Sequence, residues 1–95
     1  MASKVKFLKD GRYKLSLDDD LRGVLGQAMA AALHFEGEEM EDYLFALLSE
    51  TLRAIETQDT PRLPRSAVLA MLRTAGKYLD EPTRFFLLGL FKPNG

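Results

Sequence analysis

The chain contains no cysteine, no tryptophan and one histidine, and none of its apolar runs approaches the length of a membrane span. Without cysteine there is no disulfide, no thiolate nucleophile and no Cys-based metal site, which accords with a reducing compartment. His34 alone rules out a His-based metal cluster or a Cys–His pair within one chain. The longest apolar runs, Phe85–Phe91 and Ala28–Leu33, fall far short of the roughly 20 residues that span a bilayer. The first residues are charged and lack the apolar stretch of a signal peptide, so a cytoplasmic protein with no membrane partner is expected. The four serines (Ser3, Ser16, Ser49, Ser66) lie in no nucleophile-elbow or Ser-x-x-Lys context, and no glycine-rich phosphate loop is present. Carboxylates are plentiful, but nothing marks a catalytic pair. The expectation is a non-enzyme with no catalytic residue, no cofactor and no metal.

What the chain does have is charge, unevenly divided. Its 95 residues are 46% hydrophobic and 28% charged, the composition of one small globular domain spanning 1–95. The total of −1 conceals three blocks. Residues 1–17 carry Lys4, Lys6, Lys9, Arg12 and Lys14 against Asp10, a net of +4. Residues 18–59 hold eleven acids against Arg22 and Arg53, a net of −9, and residues 60–95 return to +4. Such blocks either pair within the fold or face charged partners.

Residues 4–17 read as a β-hairpin around Asp10-Gly11. A two-residue loop would set Phe7 opposite Lys14 and mix apolar with polar residues on both faces. A three-residue loop, Lys9-Asp10-Gly11, pairs Phe7 with Tyr13, Lys6 with Lys14 and Val5 with Leu15, and places Gly11 in the left-handed position of a bulged type I turn. One face is then apolar (Val5, Phe7, Tyr13, Leu15, Leu17) and the other cationic (Lys4, Lys6, Arg12, Lys14), with Leu8 on the polar side. A cationic strand face is either a solvated surface that discourages aggregation or an anion-binding ribbon. Its apolar face needs cover from the rest of the chain, because an isolated hairpin is not stable.

The remainder predicts four helices, at about 18–35, 38–57, 64–79 and 82–92. Asp18-Asp19-Asp20 opens the first as capping carboxylates, and its stripe runs through Leu21, Val24, Leu25, Ala28, Ala32 and Phe35. Gly23, Gly26 and Ala30 thin another side, where close approach of a second backbone is expected. Glu38, Glu39, Glu41 and Asp42 crowd the second helix's start, and Gln58–Leu63 reads as a linker around Pro61. The last helix, with Phe85, Phe86, Leu87, Leu88, Leu90 and Phe91, is apolar nearly all round, so part of it is expected to form a partner or homodimer interface. The fold class is therefore α+β: an N-terminal hairpin followed by a bundle of four helices.

The alternating strand Tyr13-Lys14-Leu15-Ser16-Leu17, the acidic helix start Asp18-Asp19-Asp20-Leu21 and the two following amphipathic helices resemble the ribbon-helix-helix family of DNA-binding dimers over residues 12–55. The resemblance implies a homodimer whose paired strands read the major groove, with Arg12, Lys14 and Ser16 as the readers. That family holds DNA phosphates at the start of its second helix, where this chain places Glu36, Glu38, Glu39 and Glu41. The first expectation is accordingly a regulatory or adaptor domain that binds a protein partner through Lys4, Lys6, Arg12 and Lys14 and through Phe86 and Phe91. A dimeric DNA-binding repressor or antitoxin, helped by Arg62, Arg65 and Arg73, is the alternative.

Overall fold

The computed structural model describes residues 3–57 and 60–91. Strands β1 (Lys4–Phe7) and β2 (Arg12–Ser16) form the N-terminal hairpin, followed by helices α1 (Asp19–Glu36) and α2 (Asp42–Thr57), strand β3 (Arg62–Pro64), and helices α3 (Arg65–Thr74) and α4 (Glu81–Leu90). The protein is α+β. Its three strands make one antiparallel sheet in the order β1-β2-β3, and the helices pack on one face of it.

The hairpin register follows from side-chain parity. Val5 faces Leu15, Lys6 faces Lys14 and Phe7 faces Tyr13. Gly11 has φ +84°, its N–H donates to the Leu8 carbonyl at 3.1 Å, and Leu8 N–H donates to Arg12 at 2.9 Å, which closes the three-residue loop. Leu15 is fully buried and Leu17 nearly so, while Val5 and Tyr13 pack on the edge of the core. Phe7 meets Tyr13 edge-on with ring centroids 4.8 Å apart.

Asp18 caps α1: its Oδ1 accepts from Leu21 N–H at 2.8 Å. The buried Ser3 hydroxyl accepts from Asp18 N–H at 3.0 Å and donates to Asp18 Oδ2 at 3.2 Å, tying the start of the sheet to the start of the helix. Helix α1 sends Leu21, Leu25, Ala28, Met29 and Ala32 inward, where Leu48 and Ile55 of α2 and Val68 and Met71 of α3 meet them.

Four elements depart from the sequence reading. The segment read as a linker holds β3, whose Leu63 is buried opposite Tyr13, and the Pro61 carbonyl accepts from Leu15 N–H at 2.9 Å. Three residues that follow one proline and end on another carry little local strand signal; the free edge of β2 supplies the hydrogen bonds that make them one. The second helix starts late, because a 3₁₀ turn (Gly37–Glu39) and an extended Met40 precede α2. Phe45 of α2 packs back on Gly37, where a Cβ would lie 2.9 Å from the ring. The third helix gives way at Ala75 to a 3₁₀ turn through Tyr78. The thin side of α1 has no second backbone against it: a Cβ on Gly23 would meet nothing within 4 Å, and Gly26 would meet only the end of Leu52. The expected end of the last helix, at Lys92, lies outside the described residues.

The two glycine environments give opposite expected signs. Gly11→Ala is expected to destabilise by about 1 kcal/mol, because only the backbone conformation opposes the added Cβ. Gly23→Ala is expected to stabilise by about 0.5–1 kcal/mol by removing a helix-interior glycine that packs against nothing. Urea unfolding of both variants checks the pair of signs.

Candidate functional site: a cationic sheet face

Alternation along β2 sends Tyr13 and Leu15 to the core and Arg12, Lys14 and Ser16 to the opposite face. The register then builds rows. Lys6 of β1, Lys14 of β2 and Arg62 of β3 are direct cross-strand partners, so three cations lie side by side across the full width of the sheet. Lys4 stands opposite Ser16 on the same face, and Arg12 opposite Pro64. Lys4, Lys6, Lys14 and Ser16 line a shallow hollow of about 160 Å³ between the first two strands.

None of Lys4, Lys6, Arg12, Lys14 or Arg62 makes an ion pair with any described residue. The hairpin's own carboxylate, on Asp10, accepts from Arg12 backbone N–H at 3.0 Å and so serves the turn. Like charges directly opposite on a sheet face repel. Here they are held together by the burial of Leu15 and Leu63 on the reverse side. The charge blocks therefore do not neutralise one another at this face.

The acidic block forms a separate surface. Glu38, Glu39, Glu41 and Asp42 are exposed at the elbow before α2, beside the exposed Tyr43. Glu36, next to them, is engaged: Tyr78 donates its hydroxyl to Glu36 Oε2 at 2.7 Å, and Lys77 Nζ lies 3.1 Å from Oε1. The Tyr78 hydrogen bond, then the Lys77 contact, holds the Glu36 carboxyl below its ordinary pKa; the same bond pushes the Tyr78 phenol up. Phe35 stacks on Tyr78 nearby, at 6.1 Å and 13°.

The third surface lies on α4. Leu87 is fully buried and Phe91 nearly so, against Tyr13 at 5.8 Å, while Phe85, Phe86 and Leu88 are 60%, 48% and 45% exposed. Of the two phenylalanines expected at a partner interface, Phe86 is on the surface and Phe91 belongs to the core. Lys4, Lys6, Arg12, Lys14 and Ser16 are brought together on one face. Sequence reasoning counted Arg62 among possible DNA contacts but did not place it on the ribbon, since residues 58–63 carried no strand pattern beyond the alternation of Arg62 and Leu63.

Among the described residues no group of three or more His, Asp or Glu side chains is placed to hold a metal ion, and no helix is long and apolar enough to cross a membrane. No protein-family model, curated protein or solved structure matches the chain.

Two outcomes follow from these contacts. Glu36 has a lowered pKa, so its contribution to stability is complete above the ordinary carboxylate range and is lost as pH falls through the folded-state value. Tyr78 has a raised pKa, so its part is lost only as pH rises through that higher value. Tyr78→Phe is expected to bring the Glu36 pKa back up toward the ordinary range, read by NMR titration of the side-chain carboxyl. For α4, Phe86→Glu is expected to weaken concentration-dependent dimerisation in sedimentation without unfolding the chain, because the ring is half exposed. A wild-type chain that stays monomeric throughout would remove the dimer expectation.

Proposed function

We propose that this chain is a small non-catalytic regulatory or adaptor domain that binds an anionic partner, chiefly another protein, on the outer face of its three-stranded sheet. The observation that carries this is the cross-strand row Lys6, Lys14, Arg62, with Lys4 and Arg12 beside it and none of the five ion-paired with a described residue. Repulsion across such a row works against folding, and a partner's carboxylates relieve it on binding. The hollow lined by Lys4, Val5, Lys6, Lys14 and Ser16 is where an anionic group would meet this face. Contiguous cations on a sheet also favour a second reading, nucleic acid, with Arg12, Lys14 and Ser16 as contacts. Strand β2 has a neighbour on each edge, so in either reading the sheet acts as a preformed surface and not through strand pairing with a mate.

The double variant Lys6→Glu/Lys14→Glu tests the proposal. Binding of a fluorescent polyglutamate, read by anisotropy, is expected to weaken by about tenfold or more and to be salt-dependent in the wild type. Stability at low salt is expected to rise by about 0.2–1 kcal/mol, because Lys14→Glu turns the repulsion from Arg62 into an attraction while the pair at positions 6 and 14 stays like-charged. A variant that binds as well as the wild type would defeat the proposal. A salt-resistant, sequence-selective shift of duplex DNA, abolished by Lys14→Ala, would replace it with the second reading.

A further inference from the structure

Beside the cationic face, a cleft of about 330 Å³ runs between α3 and α4. Val68, Leu72 and Phe91 form its floor, and Leu69 and Leu88, each nearly half exposed, form its rims. At one end stand Tyr13 and Arg65, and both also line a second hollow of about 230 Å³ that continues to Leu8 and Arg12 at the hairpin tip. The two hollows thus adjoin at Tyr13 and Arg65, and among the described residues that line them the charged ones are Arg12 and Arg65. Neither arginine is ion-paired with a described residue.

That pairing of chemistries selects an occupant. An aliphatic floor takes aliphatic side chains, and two unpaired guanidinium groups at one end take carboxylates. Nucleic acid meets the arginines but leaves the aliphatic floor between α3 and α4 unfilled: the exposed ring of Phe7 lines the second hollow, not the cleft, where Phe91 is buried and Tyr13 half-buried. A neutral apolar segment fills the floor and leaves the arginines unused. We infer that the cleft seats a short acidic amphipathic segment of a partner protein, with its aliphatic residues along α3 and α4 and its carboxylates at Arg65 and Arg12. The inference rests on the proposed anionic-partner function and names the partner's chemistry: acidic residues interleaved with aliphatic anchors at helical spacing. The sheet face steers the encounter, and the cleft supplies the affinity and the discrimination.

The test uses the full chain and two labelled peptides of about fifteen residues. One has leucines at i, i+3, i+4 and i+7 among glutamates; the other is polyglutamate. The amphipathic peptide is expected to bind about tenfold tighter. Leu69→Glu, a rim change that leaves the core untouched, is expected to erase that preference while polyglutamate binding persists. Leu88→Ser, which adds no charge, is expected to reduce the preference in the same direction. Circular dichroism confirms that both variants are folded. Equal binding of the two peptides by the wild type would overturn the inference and leave the anionic-face proposal standing. Binding of neither would sink both. A duplex DNA that displaces the amphipathic peptide more strongly than excess unlabelled peptide would overturn the assignment to a protein segment. Self-association abolished by Leu69→Glu, with no peptide binding, would place a second copy in the cleft and overturn it equally.

Discussion

A left-handed turn at one glycine sets which side of the sheet is oily and which is charged. With Gly11 at φ +84° the loop holds three residues, and Phe7, Val5, Tyr13 and Leu15 fall on one face. A shift of one residue in either strand would turn that strand over, driving its lysines into the core and its apolar side chains into water. Every later element assumes this choice. Helix α1 packs on Leu15 and Leu17, β3 inserts Leu63 beside Tyr13, and Phe91 closes over Tyr13 from the far end of the chain.

The same parity concentrates positive charge. Because the core claims alternate residues of all three strands, the residues left over are cationic and adjacent: Lys6, Lys14 and Arg62 in one row, Lys4 and Arg12 flanking it. Four exposed acids, Glu38, Glu39, Glu41 and Asp42, collect elsewhere, at the elbow before α2, next to Glu36, which is drawn into a hydrogen-bonded contact with Tyr78 and Lys77. The polypeptide thus keeps two oppositely charged surfaces apart, though it has enough charges of both signs to pair them. This separation, together with an apolar cleft at the edge of the positive surface, is the arrangement on which the proposed docking function rests.

Legibility from sequence tracked the locality of the cause. The hairpin register, the Asp18 cap and the four helical stretches depend on neighbours within a few residues, and side-chain alternation, a capping carboxylate and helical periodicity expressed them directly. Strand β3 depends on a partner distant in the chain: Arg62-Leu63-Pro64 is a strand only because β2 has an edge to fill. Its absence from the reading hid the third cation of the row. Gly23 misled in the other direction, since a glycine on a helix can mark close packing or simply an open surface, and only coordinates show that its side is open. Sequence put both Phe86 and Phe91 at a partner interface, because both sit in a run with almost no polar side; burial against Tyr13 puts Phe91 in the core instead.

The late arrival of β3 makes the cationic row a property of the whole folded chain. A peptide spanning residues 1–17 contains Lys6 and Lys14 but not Arg62, and an unfolded chain holds all three far apart. A partner that needs the row therefore binds the native state alone, and its free energy of binding adds to that of folding by mass action. Under the proposed function, the outer sheet would thus be presented only by chains that have brought residues 62–64 back to the hairpin.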